Sequence, residues 1–284
     1  MEYTLIADAG STKIDWVLVG SDRTGALRFG TTGLNALLAD AAETSRVMLE
    51  AESRIPAGVN ITEIHYYGAG CATPEICDKI RRALEETIGA GRVSVESDLL
   101  GAARSLLGDR RGIACILGTG SNSCLYDGSA IERNIPSLGF ILGDEGSGAS
   151  LGKRLVADAF KGHLPQTVAE RFLEEYGLTL GEILDKVYRS PAPSRFLASL
   201  VPFIHGHLWN PYVYSLVMNE FRSFFTRNVS PYAGSRALPI SFTGSIAFHF
   251  ADILRKAADE LGFTVGEITR QPLDGLIRYH SPNS

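Results

Sequence analysis

Two glycine-rich turns, each directly after an apolar run, are the segments of this chain best suited to bind an anion. They read DAGSTK at 8–13 and GTGSN at 118–122. Small residues leave backbone N–H groups uncovered and hydroxyl groups can donate hydrogen bonds, so such turns can hold phosphate oxygens. A second strand-like run follows each turn, at 15–20 and 123–127. The pattern predicts a duplicated phosphate-binding hairpin, whose candidate contacts are Gly10, Ser11, Thr12, Lys13, Gly120 and Ser121.

Two aspartates are placed where a carboxylate could do chemistry. Asp8 ends the first strand-like run and could hold a hydrated Mg²⁺ beside bound phosphates, or it could only stabilise a tight turn. Lys13 is equally open, as a phosphate contact or a solvated lysine at a strand edge. Asp98 begins a helix and could accept the proton of an attacking hydroxyl, although a helix N-cap is the common role for Asp. Ser97 can serve as that cap, which would free Asp98.

Three further segments carry polar groups at turns. The run GDEGSG at 143–148 opens a helix, and its Asp144 could bind sugar hydroxyls or a metal-bound water, or only favour the helix dipole. Gly244 and Ser245 lie at a strand–turn–helix junction, where a glycine would let a flat adenine ring approach. Asn35 offers both a donor and an acceptor to a small ligand, although a turn asparagine is also unremarkable.

Composition excludes several classes of protein. The 284 residues suffice for roughly two domains, and 45% of them are hydrophobic. A net charge of −5 disfavours nucleic acid or an anionic membrane as partner. The four cysteines show neither zinc nor disulfide spacing, and no apolar run approaches the ~20 residues that span a bilayer. The sequence predicts a soluble, cytoplasmic protein.

The order of strand and helix signals predicts two similar α/β lobes. Three strand-like runs precede the first helix, and the same opening recurs after residue 112, so each sheet should begin as an antiparallel meander and then become parallel. We expect lobes at 1–110 and 111–271, with a helical insert at about 149–236 and the phosphate turns facing each other across a cleft. Long helices are predicted at 195–206 and 246–261.

Taken in order, residues 8–13, Asp98, 118–122, 143–148 and 243–247 resemble the five conserved segments of the actin/hexokinase/Hsp70 superfamily. Within it, the runs LGTGSNS at 117–123 and LGDEGS at 142–147 are similar to those of the BadF/BadG/BcrA/BcrD-type ATPase family, in its N-acetylglucosamine kinase branch. The resemblance covers nearly the full length. It implies two ribonuclease-H-like lobes around a nucleotide cleft, with the helix at 272–284 packing back on the first lobe.

The resemblance also implies roles. Asp98 would be the base that deprotonates the sugar 6-hydroxyl, and Asp8 would hold Mg²⁺ through water. Ser11, Thr12 and Gly120 would contact the phosphates of ATP, while Gly244 and Ser245 would flank its adenosine. The sugar pocket would be lined by Asn35, Thr119 and Asp144. The expected activity is ATP-dependent phosphorylation of an amino sugar by a homodimer, with N-acetylglucosamine giving the 6-phosphate.

Other functions stay open at this point. Ala9 and Ser11 stand where the family usually has glycine, which leaves the geometry of the first phosphate turn less certain. N-acetylmuramate or glucosamine could be the sugar. An ATPase that activates a partner, as in 2-hydroxyacyl-CoA dehydratase activators, would need a cluster cysteine, and Cys71 and Cys77 lie in the wrong context for one. A sugar or nucleotide sensor without catalysis would need neither Asp8 nor Asp98.

Overall fold

The computed structural model of the protein describes residues 2–20 and 26–280. Residues 1, 21–25 and 281–284, which the sequence assigns to the first lobe and the C-terminal helix, lie outside the described residues. The chain divides into two compact units. Unit 1 comprises Met1–Asp109 and Pro272–Ser284, and unit 2 comprises Arg110–Gln271.

Unit 1 is a five-stranded mixed sheet with helices on both faces. Its strand order is β3-β2-β1-β4-β5, antiparallel among β1, β2 and β3 and parallel from β1 through β4 to β5. The predicted change from meander to parallel pairing is therefore observed. The elements are β1 (Glu2–Ala9), β2 (Lys13–Gly20), β3 (Ala26–Thr32), α1 (Ala41–Glu52), β4 (Asn60–Gly68), α2 (Pro74–Thr87), β5 (Arg92–Ser97), α3 (Asp98–Leu107) and, from the end of the chain, α13 (Leu273–His280).

Alternating residues of the strands in unit 1 pack on opposite sides of the sheet. One side, which includes Leu5 and Trp16, packs on Val47 of α1 and Leu84 of α2. The other side carries a smaller cluster in which Ile6, Val17 and Tyr67 meet Leu273 and Leu276 of α13. The Ser105 hydroxyl of α3 also donates to the Pro272 carbonyl at 2.7 Å. The last helix of the chain thus belongs to the core of the first unit.

Unit 2 repeats this topology, with strand order β10-β9-β6-β7-β8. Its strands β6 and β7 pair antiparallel, as do β7 and β8, while β6, β9 and β10 are parallel. The strands are β6 (Gly112–Leu117), β7 (Ser121–Tyr126), β8 (Ile131–Ile135), β9 (Ile240–Thr243) and β10 (Val265–Thr269). The helices are α4 (Gly139–Leu142), α5 (Gly148–Phe160), α6 (Gln166–Tyr176), α7 (Leu180–Tyr188), α8 (Pro193–Ala198), α9 (Val201–Gly206), α10 (Pro211–Phe224) with a π-helical continuation at Phe225–Val229, α11 (Ser245–His249) and α12 (Ala251–Glu260).

Two expectations for unit 2 are wrong, and one of its strands was not expected. The helix expected at 195–206 is two helices, because Pro202 lacks an N–H and stands in the first turn of α9, where a new helix tolerates it. The helix expected at 246–261 is interrupted at Phe250, whose φ of −111° and ψ of 25° are not helical. The sequence also missed β10, a short edge strand. No helix in the described part of the chain is long and apolar enough to cross a membrane.

Candidate functional site

The first glycine-rich turn is held by the loop that follows β3. The Gly10 N–H donates to the Lys13 carbonyl at 3.0 Å, which closes the turn. The Gly10 carbonyl accepts from the Leu34 N–H at 3.1 Å, and the Thr12 carbonyl accepts from the Gly33 N–H at 3.3 Å. A Cβ at Gly33 would lie 2.3 Å from the Thr12 carbonyl carbon, so only glycine allows this approach. Two carbonyls of the turn are thus paired inside unit 1, while the side chains of residues 11–13 are exposed.

Asn35 is placed beside this turn, but its amide is already engaged there. Its Oδ1 accepts from the Leu37 N–H at 3.1 Å, and its Nδ2 donates to the Ser11 hydroxyl oxygen at 3.3 Å. A Cβ at Gly70 would lie 2.3 Å from Asn35 Oδ1, so the backbone of Gly70 lies close to the amide. These contacts connect the loop to the turn, and among the described residues they leave one amide N–H of Asn35 without a partner.

Asp8 and Asp98 lie at the same edge of the sheet of unit 1. Asp8 is near the carboxyl end of β1, Ser97 ends β5, and only β4 separates the two strands. Neighbouring strands are about 4.8 Å apart, so the two backbones are separated by about 10 Å. Burial, followed by the negative charges of Asp98 and Asp15, raises the pKa of Asp8 to about 7. The two carboxylates therefore act on each other electrostatically.

Asp98 is the first residue of α3 but does not cap it. The Ser97 hydroxyl accepts from the Leu100 N–H at 3.2 Å and fills the N-cap role. The Asp98 carboxylate accepts from the adjacent Leu99 N–H at 2.8 Å. Burial raises the pKa of Asp98, and the hydrogen bond from Leu99 opposes that rise. A partly buried carboxylate with a raised pKa at a helix start can serve as a general base.

Lys13 forms an ion pair on the surface of the sheet. Its ammonium pairs with the carboxylate of Asp15, two residues further along β2. Asp15 lies directly opposite Asp8 in the β1–β2 register. Among the described residues, no three His, Cys, Asp or Glu side chains are grouped so that they could hold a metal ion. These acidic residues therefore do not form a cage of protein ligands around a metal.

The second glycine-rich turn is fixed by the start of α5. The Gly118 carbonyl accepts from the Gly148 N–H at 2.8 Å, and the Thr119 carbonyl accepts from the Ala149 N–H at 3.0 Å. Two carbonyls of the turn are therefore paired inside unit 2, as they are in the first turn. A Cβ at Gly118 would meet no atom within 4 Å, and its φ is not positive. Packing does not require glycine there, which leaves the space beside Gly118 open to a ligand.

Asp144 belongs to the same constellation. It is a non-glycine residue with a positive φ of 57°, a conformation that Asp and Asn tolerate better than most residues. Its Oδ1 accepts from the Ser121 N–H at 3.2 Å, and a Cβ at Gly120 would lie 3.1 Å from its Oδ2. Burial raises its pKa, although the Ser121 hydrogen bond and nearby Lys153 oppose the rise. The structure thus brings Asp144 against the second turn.

Glu145 faces a different group of residues. Its carboxylate accepts from Arg227 and Asn228, each at 3.1 Å. A cavity of about 380 Å³ lies on this side of the loop. Its charged lining residues are Glu145, Lys153, Arg154, Glu220 and Arg227. Glu145 is therefore part of an ion-paired group in unit 2.

Gly244 is required by packing. Its φ is 116°, and a Cβ there would lie 2.3 Å from the Leu117 carbonyl oxygen. This side of Gly244 is filled by the end of β6, so an adenine ring could approach only another side. Ser245 is exposed at the start of α11. The hydroxyl oxygens of Ser121 and Thr243 are buried without a hydrogen-bond partner in the described structure.

Sequence reasoning missed three residues that shape the first turn: Asp15, Gly30 and Gly33. A signal existed for Asp15, because residues 13 and 15 of one strand lie on the same side. No comparable signal existed for Gly30 and Gly33, since their role depends on atoms that approach from β2 and the turn.

Comparison with solved structures places this geometry in a family. The putative N-acetylglucosamine kinase from Porphyromonas gingivalis is 44% identical, with 99% of each chain covered and a TM-score of 0.89. The chain belongs to the N-acetylglucosamine kinase branch of the BadF/BadG/BcrA/BcrD-type ATPase family. The predicted family is confirmed. The putative N-acetylglucosamine kinase from Chromobacterium violaceum is 19% identical, with 98% of each chain covered and a TM-score of 0.77.

The actin-like α/β fold of two lobes is confirmed as well. A ROK family glucokinase from Streptomyces griseus, solved in complex with glucose and AMPPNP, matches 96% of this chain with a TM-score of 0.54. It is 14% identical, and 95% of its own chain is covered; that likeness concerns the fold. No protein-family model matches the chain. A search of curated proteins gave no match either.

Proposed function

We propose that this protein is a kinase that transfers the γ-phosphoryl group of ATP to an amino sugar, with N-acetylglucosamine giving the 6-phosphate. The placement of Asp98 carries the proposal. Ser97 caps α3, so the Asp98 carboxylate at the carboxyl edge of the sheet is not needed as the cap, and its charge acts on Asp8. The full-length likeness to the Porphyromonas gingivalis protein supports the same function.

In this proposal the residues of unit 1 serve the acceptor and the metal. Asp98 accepts the proton of the sugar 6-hydroxyl as the hydroxyl attacks phosphorus. Asp8 holds Mg²⁺ through water, since Mg²⁺ keeps several waters and is bound by one or two carboxylates. When bound, Mg²⁺ neutralises phosphate charge. Ser11 and Thr12 offer exposed hydroxyls to the phosphates.

The residues of unit 2 serve the other end of ATP and the sugar. Gly120 and Ser121 would contact phosphates, and the open space beside Gly118 fits such an approach. The hydroxyls of Ser121 and Thr243, which have no hydrogen-bond partner among the described residues, fit a polar ligand nearby. Gly244 and Ser245 would flank the adenosine from the side that Leu117 leaves open.

Thr119 and Asp144 would bind sugar hydroxyls from unit 2. Asn35 of unit 1 would give the sugar its one remaining amide N–H, since its other polar contacts are used within the unit. The proposal also includes a cytoplasmic homodimer, on the strength of the family resemblance. Sedimentation of the purified protein tests the dimer.

A coupled assay of ADP release tests the activity. Purified protein is given Mg-ATP with N-acetylglucosamine, N-acetylmuramate, glucosamine, glucose, N-acetylmannosamine or no sugar. We expect release that depends on sugar, with the highest kcat/KM for N-acetylglucosamine. A higher value for another amino sugar would change the substrate and keep the kinase. Slow release that ignores the sugar would refute the kinase and favour an ATPase with a protein partner.

A further inference from the structure

The side chain of Lys13 follows a defined path across the sheet of unit 1. It runs along β2 to the carboxylate of Asp15 and passes over Gly30 of β3. Gly30 lies directly opposite Asp15 in the β2–β3 register. A Cβ at Gly30 would lie 2.7 Å from Lys13 Cε and 3.5 Å from its Nζ. The missing side chain of Gly30 is what gives Lys13 room on this path.

The same row of the sheet contains two like charges. Asp8 of β1, Asp15 of β2 and Gly30 of β3 lie side by side. Directly opposite residues in an antiparallel pair have Cβ atoms about 4.5–5.5 Å apart, and like charges there destabilise the pair. The ammonium of Lys13 offsets this repulsion, because it pairs with Asp15 and also stabilises the charged form of Asp8. Without Lys13, the carboxylate of Asp15 would destabilise the fold by repelling that of Asp8.

We propose that Asp15 is a positioning residue. Its carboxylate fixes the ammonium of Lys13, whose side chain lies in the space left by Gly30, and holds that ammonium beside Asp8, where the ammonium meets the phosphates of the nucleotide. This inference rests on the proposed function. A lysine side chain loses much rotamer freedom when it is ordered. If Asp15 has already ordered it, nucleotide binding does not have to do so. The ammonium has three donors, so pairing with Asp15 leaves donors for a phosphate oxygen.

A double-mutant cycle with Gly30→Ala and Lys13→Gln tests the proposal. Gly30→Ala fills the space beside Lys13 and adds no charge. Calorimetry measures the Kd for Mg-AMPPNP. We expect Gly30→Ala to raise Kd about two- to tenfold in the Lys13 protein, since an ordered side chain is worth that much in affinity. In the Lys13→Gln protein, Gly30→Ala should change Kd less than twofold. Gly206→Ala, at an exposed helical glycine with no atom near its Cβ position, is the matched control.

The carboxylate itself is tested by two variants. Asp15→Asn should raise Kd by a factor similar to that of Gly30→Ala, and the two changes together should add little, because they release the same side chain. Asp15→Glu keeps a charged acceptor for the ammonium, so its Kd should lie between that of the parent and that of Asp15→Asn. In the sugar-dependent assay, Gly30→Ala should raise the KM for ATP and leave kcat within about twofold.

The position of Lys13 has a readout that needs no nucleotide. Acetylation of Lys13, followed by mass spectrometry, should be slower in the parent protein than in Gly30→Ala or Asp15→Asn. Equal acetylation rates would refute the fixed position. An equal effect of Gly30→Ala on Kd in the parent and in the Lys13→Gln protein would refute its role in binding. If the protein phosphorylates no sugar but binds Mg-AMPPNP with the expected cycle, the kinase proposal fails and the positioning role stands.

Discussion

Replacing Asp98 with asparagine separates the chemistry of this carboxylate from its place in the fold. The amide oxygen can still accept the Leu99 N–H that Asp98 accepts at 2.8 Å, and Ser97 still caps α3. What the amide cannot do is take up a proton. A positioned general base contributes about 10²–10⁴ to the rate, which equals about 2.7–5.4 kcal/mol of activation free energy. We expect kcat to fall by that factor.

The Asp98→Asn protein should be as stable as the parent or more stable. Burial raises the pKa of Asp98, so the folded protein holds its charged form at a disadvantage, and the neutral amide removes that disadvantage together with the repulsion of Asp8. The Tm of Asp98→Asn should therefore equal or exceed that of the parent. ADP release gives kcat, calorimetry gives the Kd for Mg-AMPPNP, and thermal unfolding gives Tm.

Asp40→Asn is the matched control. Asp40 caps α1 and accepts the Glu43 N–H at 2.8 Å, and asparagine is an equally good cap. The control makes the same chemical change at a helix start and should leave kcat and Tm unchanged. A kcat for Asp98→Asn within twofold of the parent, at unchanged Tm, would refute the assignment of Asp98 as the base.

Three further predictions follow from the geometry. Gly244→Ala forces a Cβ to within 2.3 Å of the Leu117 carbonyl oxygen at a φ of 116°. Urea unfolding should show that the free energy of unfolding falls by about 1–3 kcal/mol for the backbone conformation alone, and Gly206→Ala is the neutral comparison. Asp144→Asn keeps a hydrogen-bond acceptor and a residue that tolerates positive φ, so Tm should change little. The KM for sugar should rise about 10–100-fold, because a hydrogen bond to a charged group is lost. An unchanged KM would remove Asp144 from the sugar site. Burial, with nearby positive charge, lowers the pKa of His280 from its ordinary 6.5 to about 3. Because the unfolded chain then binds a proton that the folded protein does not, stability should fall as pH drops from 6.5 towards 3, and urea unfolding at pH 7 and pH 5 should show a smaller fall for His280→Phe.

Local signals in the sequence were sufficient where the neighbouring residues alone determine the structure. Thr followed by Pro is a common signal for a helix start, and at the start of α2 Thr73 accepts the Ile76 N–H directly before Pro74 opens the helix. The repeated order of strands predicted the antiparallel opening of both sheets, because two strands joined by a short turn pair antiparallel. Ser97 was recognised as a possible cap, and this left Asp98 available as a base.

The remaining features depend on atoms distant in sequence. Asn35 is a turn asparagine whose amide contacts Ser11, from a different turn. The need for glycine at Gly244 comes from the Leu117 carbonyl oxygen, which would lie 2.3 Å from a Cβ there. Within the described residues, β10 lies at the edge of its sheet beside β9, and its five residues, VGEIT, show no apolar alternation. Each of these contacts becomes visible only when the chain has folded.

The return of α13 to unit 1 affects the order in which the protein can be made. Leu273 and Leu276 complete a cluster with Ile6 and Val17, which were synthesised more than 250 residues earlier. Unit 2 is continuous in sequence, at Arg110–Gln271, and the residues of its core cluster all lie within that range. Unit 1 is discontinuous, because Leu273 and Leu276 of α13 belong to a cluster on its sheet. Unit 1 therefore cannot complete this cluster until every residue of unit 2 has been synthesised.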